Sequence, residues 1–282
     1  MGPARRGRTR LAAPLALACA LSACHGRIGA GAPAPAALAP PLPGYRLIWH
    51  DEFDRTGLDP ASWTVYTGPR RDAQNDAAAV TLAGGVLTIA TWSDGATHHT
   101  GFLDTAGKRL FTYGWIEARI RFESAPGEWG AFWMSSPSIG TPVGDPGAAG
   151  AEIDIAEHRF SDAAGADISD SYVMNLHWDG YGADHQTTGD RGAPPPGAEP
   201  LQGGWHVYAL LWTAQDYRFY LDGVEQWATA AGLSHRPEFI KLSCEVQDAS
   251  WAGRVPAEGY GPPERSRVRM QVDWVRVWQA AP

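Results

Sequence analysis

The sequence predicts an all-β domain of two packed antiparallel sheets, and three observations carry that prediction. Thirty-three Gly and 22 Pro in 282 residues divide the chain into short pieces, which suits strands and turns better than long helices. Runs of strand length recur between those breaks, several alternating polar and apolar residues with period two. No stretch carries a helical repeat of any length. The 44% hydrophobic and 19% charged content excludes a disordered chain and a coiled coil.

The elements follow in order. Residues 1–24 read as a lipoprotein-type export signal: Arg5, Arg6, Arg8 and Arg10, the apolar run Leu11–Leu21, then Leu21-Ser22-Ala23-Cys24. That run is too short to span a bilayer permanently. Leu-Ser-Ala-Cys is similar to a bacterial lipobox, in which Cys24 becomes the lipidated first residue of the mature protein. An ordinary signal peptide that happens to hold a Cys is the alternative. The expected address is the cell envelope through a lipid at Cys24, or secretion. Residues 25–44 are a Pro/Ala/Gly-rich linker unable to build a core, and residues 45–282 form a single domain. Cys244 lies in the strand-like Phe239–Cys244, where a small buried side chain is expected.

Within the domain the strand-like runs are Tyr45–Trp49, Val80–Leu82, Val86–Thr91, Gly114–Phe122, Ala131–Met134, Glu152–Glu157, Tyr172–Trp178, Trp205–Thr213, Tyr217–Leu221, Phe239–Val246 and Arg267–Trp278. Asp222-Gly223 reads as the two-residue turn of a hairpin over Tyr217–Trp227. So many strands in one domain imply a jelly-roll β-sandwich with a concave cleft. The 13 Trp suit a core and also a surface that stacks flat ligands such as sugar rings.

The formal charge is −8. Without the four Arg of the export signal, 19 basic residues face 31 acidic ones, a charge of −12. Such an acidic body argues against nucleic acid and against a polybasic grip on lipid. It also mildly disfavours strongly sulfated polymers, although a local cleft can override net charge.

The most informative segment is Ala151-Glu152-Ile153-Asp154-Ile155-Ala156-Glu157-His158. In a strand, Glu152 and Asp154 share a face while Ile153 and Ile155 pack inward. Glu157, five residues from Glu152, falls on the wrong face unless a one-residue bulge near Ala156 restores its phase. Three carboxylates on one face repel, so that one stays ionised while another holds a proton. That split is what the nucleophile and general acid of a retaining glycosidase require. A calcium site would draw its oxygens from loops, and a polar edge strand would mix in Lys or Thr. Zinc lacks a His-x-x-x-His pair, and His158 faces away from the carboxylates.

Glu-Ile-Asp-Ile-Ala-Glu resembles the Glu-x-Asp-x-x-Glu signature of glycoside hydrolase family 16 in its bulged, laminarinase-like form. Four further blocks match in family order: Trp49–Phe53; Tyr113–Arg119 with Gly127–Met134; Trp205–Trp212 with the Asp222-Gly223 hairpin; and Val272–Trp278. Gly130 stands where the family often has Pro, and Leu211 where it often has Glu. The resemblance implies that Glu152 is the nucleophile, Glu157 the acid/base, and Asp154 a hydrogen-bonding partner of Glu152. It implies glucose stacking on Trp129 and Trp133, and weaker sugar contacts at Trp115, Asn75 and Arg159. His177 would either bond the carboxylates or a sugar hydroxyl, or be a satisfied histidine without a part in catalysis. Glu117 and Arg119 are expected to form a structural pair. No cofactor is implied for catalysis. A structural Ca2+ would take Glu52, the carbonyl of Gly85 and Asp273, the alternative being a metal-free carboxylate pair. The expected protein is a monomer acting on a polysaccharide: a retaining endo-β-glycanase, with β-1,3-glucan of the laminarin type as first substrate. An agar- or carrageenan-type galactan hydrolase, a transglycosylase and a carbohydrate-binding module are the alternatives.

Overall fold

Strand alternation sets the sandwich. In Gly114–Glu123 the side chains of Ile116, Ala118, Ile120 and Phe122 point to one face and are fully covered, while Arg119, Arg121 and Glu123 point to the other. The computed structural model describes residues 1–2 and 38–281, so the expectations for the export signal and Cys24, and all but the last residues of the linker, lie outside the described residues. Among the described residues all the strands fall between Tyr45 and Ala280. Among the described residues, helix is limited to the single turn Pro146–Ala149 and a 3-10 turn at Ala77–Ala79, and no helix is long and apolar enough to cross a membrane.

The outer sheet runs β17 (Val224–Thr229), β16 (Tyr217–Leu221), β15 (Trp205–Trp212), β10 (Gly114–Glu123), β19 (Arg269–Ala280), β6 (Val86–Ala90) and β5 (Val80–Ala83), with β1 (Tyr45–Asp51) also paired to β19. The inner sheet runs β14 (Gln186–Gly192), β13 (Tyr172–Trp178), β12 (Glu152–Arg159), β11 (Glu128–Ser135), β18 (Phe239–Val246), β9 (Phe102–Asp104) and β2 (Thr64–Val65). A small third sheet of β3 (Gly68–Arg70), β4 (Ala73–Asn75), β8 (Thr97–Thr100) and β7 (Trp92–Asp94) flanks them. Every pairing in the two large sheets is antiparallel. Ile116, Ile120 and Phe122 of the outer sheet share one core with Phe132, Met134, Ile153, Ile155 and Leu242 of the inner sheet. Burying each such side chain contributes about 1.5–3 kcal/mol. The core needs no disulfide, and Cys244 lies in it as a free, buried thiol.

The hairpin forms at Asp222-Gly223, both at positive φ (49° and 79°), the geometry of a type I′ turn. Gly130 also has a local reason. A Cβ there would stand 2.7 Å from the Phe122 ring, which itself stacks on His158 at 5.2 Å.

Candidate active site

The site grows from β12, the central part of the concave face. Against β11, Phe132 pairs with Ala156 and Trp133 with Asp154, so Ile155 is an extra residue. Against β13, Asp154 pairs with Asn175 and Glu157 with Val173. The bulge therefore lies at Ile155-Ala156, where two consecutive residues both enter the core. It shifts the alternation by one, and Glu152, Asp154 and Glu157 come to line one cleft with Trp129, Ala131 and Trp133.

Position decides the electrostatics. Burial raises Asp154 well above the usual carboxylate range, and the neighbouring Glu152 charge adds to the rise. Burial likewise raises Glu157 well above that range, reinforced by the charges of Asp154 and Glu152. Both hold a proton more tightly than a free carboxyl would. The Tyr181 hydroxyl donates to Glu152 Oε1, and Asp154 Oδ2 lies 3.4 Å from His177 Nε2. Burial, with the Glu152 charge, lifts the Tyr181 phenol so that it stays protonated.

Three cations share the cleft. Arg70 and Arg71 clamp the buried Glu245 carboxylate from two sides, at 2.6 and 2.5 Å. The Lys241 ammonium stands 3.8 Å from the centre of the Trp133 ring, where burial lowers its pKa.

The residues singled out from the sequence divide into those inside and those outside the cleft. Trp129 and Trp133 line it as their spacing requires, but neither ring is bare. Arg71 lies over Trp129 at 5.0 Å, Trp251 meets it edge-on, and Trp133 donates to Ser243 Oγ at 3.1 Å. His177 sits opposite Glu152 on β13. Asn75 is buried in an adjoining groove that shares Arg70 and Lys241 with the cleft. Arg159 is aligned with Trp129 at the end of the cleft, but its guanidinium is held over Trp251 at 4.0 Å and donates to the Trp251 carbonyl.

Trp115 is corrected. It lies on β10, two residues from Glu117 and therefore on the outward face of the outer sheet, packed on Trp278 and Tyr220 away from the cleft. Its indole donates to Glu117 at 2.9 Å, and Trp278 donates to the other oxygen of the same carboxylate. The expected Glu117–Arg119 pair is absent for the same reason: Arg119 pairs with Asp273 at 2.8 Å.

The calcium donor set does not fit as arranged. Arg276 takes both Glu52 oxygens, Arg119 takes Asp273, and a cation would have to displace both guanidinium groups. Oxygens of Glu152 and Asp154 and a nitrogen of His177 do lie within 4.8 Å of one another, but His177 Nε2 already faces the Asn175 amide at 3.0 Å.

Sequence reasoning missed Arg70, Arg71, Tyr181, Lys241 and Glu245 in the cleft. The double Arg was the one visible signal among them. Its partner Glu245 lies 174 positions away.

Fold and site together define a jelly-roll protein whose concave face joins clustered carboxylates to aromatic side chains. A sequence model described as beta-porphyranase A-D, GH16 domain, matches residues 49–280, and the chain belongs to glycoside hydrolase family 16. It is 26% identical to glucan endo-1,3-beta-glucosidase A1 of Niallia circulans over 85% of this chain and 39% of that protein. It is 27% identical to keratan-sulfate endo-1,4-beta-galactosidase of Sphingobacterium multivorum over 83% of this chain and 55% of that protein. The chain thus spans between about two-fifths and just over half the length of these relatives. The X-ray structure of endo-beta-1,3-glucanase from Pyrococcus furiosus superposes with a TM-score of 0.68 at 25% identity, over 84% of this chain and 95% of that one.

Proposed function

We propose that the protein is a retaining endo-β-glycanase. One observation carries this reading: the Ile155-Ala156 bulge turns three carboxylates of one strand into a single cleft, with the acid Glu157 held protonated beside Glu152. In the proposed reaction a Glu152 oxygen attacks the anomeric carbon, and Glu157 gives its proton to the departing glycosidic oxygen. Water, deprotonated by Glu157, then releases the sugar with its configuration retained.

For the substrate, β-1,3-glucan is the first reading, supported by the glucanase relatives. A galactan bearing anionic groups is the second, favoured by the cleft charge. With Asp154 and Glu157 protonated, the cleft lining sets Arg70, Arg71 and Lys241 against Glu152 and Glu245, with Asp104 in the adjoining groove, a local cluster of cations within an acidic body. The galactan-degrading names in the family match and in one relative point the same way. Export with a lipid at Cys24 remains part of the proposal, and the mass of the mature N-terminal peptide tests it.

The decisive experiment follows reducing-end release from laminarin, mixed-linkage β-glucan, agarose and a sulfated galactan, with Glu152→Gln as control. Cleavage that disappears in the folded variant, with β-anomer formed first by NMR, is the expected result. Tight binding without release from any polymer would turn the reading to a carbohydrate-binding module.

A further inference from the structure

We propose that Tyr181, on the loop between β13 and β14, is a catalytic residue whose hydroxyl stabilises the Glu152 carboxylate as it leaves the glycosyl-enzyme. The inference rests on the reading that Glu152 is the nucleophile, and it names the donor that meets the charge returning to it.

Tyr181 is aimed by its loop and not by the core. Its ring is 63% exposed, so burial of the ring does not turn the hydroxyl inward. Asp179 and Gly180, at φ 62° and 72°, open the loop directly after β13. Asp179 Oδ1 accepts from the Gly144 N–H at 2.8 Å, and a Cβ at Gly140 would stand 2.8 Å from the Gly180 Cα. The loop that carries Tyr181 is thereby fastened to the loop that follows β11. The Tyr181 ring then lies beside His177 at 5.6 Å and His185 at 5.0 Å, and its hydroxyl donates to Glu152 Oε1. Among the described residues, no other hydroxyl, backbone N–H or cation makes a hydrogen bond to that carboxylate.

A donor at this place acts differently in the two steps. In the first, Glu152 starts as a carboxylate and loses its charge to the new bond with the anomeric carbon, so the hydrogen bond weakens during attack. In the second, water bonds to that carbon and its proton passes to Glu157. The C–O bond to Glu152 breaks, and the electron pair returns to the Glu152 oxygen. The hydrogen bond from Tyr181 strengthens as that charge returns. Only an interaction stronger in the transition state than before it accelerates a step. Tyr181 therefore favours hydrolysis of the intermediate and opposes its formation. The phenol itself transfers no proton, because burial of its hydroxyl and the Glu152 charge hold it protonated.

Tyr181→Phe is the test, because it keeps the ring and its contacts with both histidines and removes the hydroxyl alone. Initial rates are measured on the full chain with laminarin, mixed-linkage β-glucan, agarose and a sulfated galactan. On the polymer that the wild type cleaves, kcat should fall by about 10- to 100-fold, the usual size of one hydrogen bond to a charged group. KM should fall in nearly the same proportion, because a slowed second step leaves the protein as glycosyl-enzyme. The mass of the acid-quenched protein at saturating polymer should show that adduct in Tyr181→Phe. The double variant Tyr181→Phe/Glu152→Gln should lack it. Unchanged kcat and KM would reduce Tyr181 to packing. A fall in kcat with KM unmoved, or a rise in KM, would place it in the first step or in sugar binding. Either result overturns the proposal. A wild type that cleaves none of the four polymers would remove the reading of Glu152 and the role of Tyr181 with it. A wild type that cleaves, with Tyr181→Phe behaving identically, would remove the role of Tyr181 alone.

Discussion

At the scale of single residues, Glu157 illustrates how position makes an acid. Its carboxyl is raised by burial first and by the Asp154 and Glu152 charges second, so it still holds a proton where a free glutamate has lost one. Glu157→Gln should lower turnover of polymer by about 10²–10⁴-fold, the range of general acid catalysis. The loss should be far smaller on an aryl glycoside whose leaving group needs no proton, measured as phenolate release. Glu152→Gln should abolish turnover of both while leaving the melting temperature and the binding of polymer near wild type. Lys241 tests the charge of the cleft. It has no carboxylate within ion-pair distance among the described residues and rests on the Trp133 ring. Lys241→Met should raise KM several-fold for a sulfated galactan and leave KM for laminarin nearly unchanged, compared in initial-rate assays at two salt concentrations. Equal effects on both polymers would remove the case for an anionic substrate.

At the scale of elements, the bulge in β12 is what links pattern to site. Deleting Ala156 removes the extra residue and leaves Glu157 an even step from Glu152, so a regular strand without the bulge keeps all three carboxylates on the cleft face. The expected outcome is retained cleavage of polymer, measured as reducing-end release. Gly130→Ala probes the neighbouring strand. The new Cβ would press on the Phe122 ring at 2.7 Å, an overpacking cost of about 1–3 kcal/mol, read as a drop in denaturation midpoint. The strands that fill the core were legible because burial enforces alternation: Tyr172–Trp178, Tyr217–Leu221 and Phe239–Val246 have the bounds their sequences suggest. Gln186–Gly192 was not, because an edge strand made of Gln-Thr-Thr-Gly-Asp-Arg-Gly carries no apolar face to read. The short strands of the third sheet were missed because three or four residues are too few for a period. Site residues follow the same division. The carboxylate triplet lies in one strand, so its spacing is visible. The Arg70–Glu245–Arg71 clamp joins segments about 175 residues apart, and no local pattern encodes that meeting. Trp115 was misplaced because the composition of a tryptophan says nothing about which sheet, or which face, it occupies.

At the scale of the whole molecule, stability should depend on pH through acids buried in the protein. Glu128 has neither oxygen hydrogen-bonded, and burial pushes its pKa up to about 8. Glu238 bonds Ala151 N–H through one oxygen and leaves the other unpartnered, and burial pushes it up to about 8 as well. A raised carboxyl is protonated in the folded state where the unfolded chain has already lost its proton. The folded state therefore binds more protons between pH 4.5 and 8, and stability falls as pH rises through that window, by about 1.4 kcal/mol per unit for each such group. His158 acts at the other end. Buried between Phe122, Ser124 and the Ser169 carbonyl, it is lowered by burial to about 4, so stability falls as pH drops from 6.5 toward 4. Above pH 4.5 the two acids outweigh the one histidine, so these three groups together place the stability maximum near the lower end of that window, about pH 4.5. Glu128→Met removes one buried acid without adding an unpaired polar group. In urea titrations at pH 6, 7, 8 and 9, its advantage over wild type should grow with pH up to about 8 and then level off. An advantage that is constant from pH 6 to 9 would show that Glu128 is ionised in the folded protein as it is in the unfolded chain, and would remove it as a source of the pH dependence.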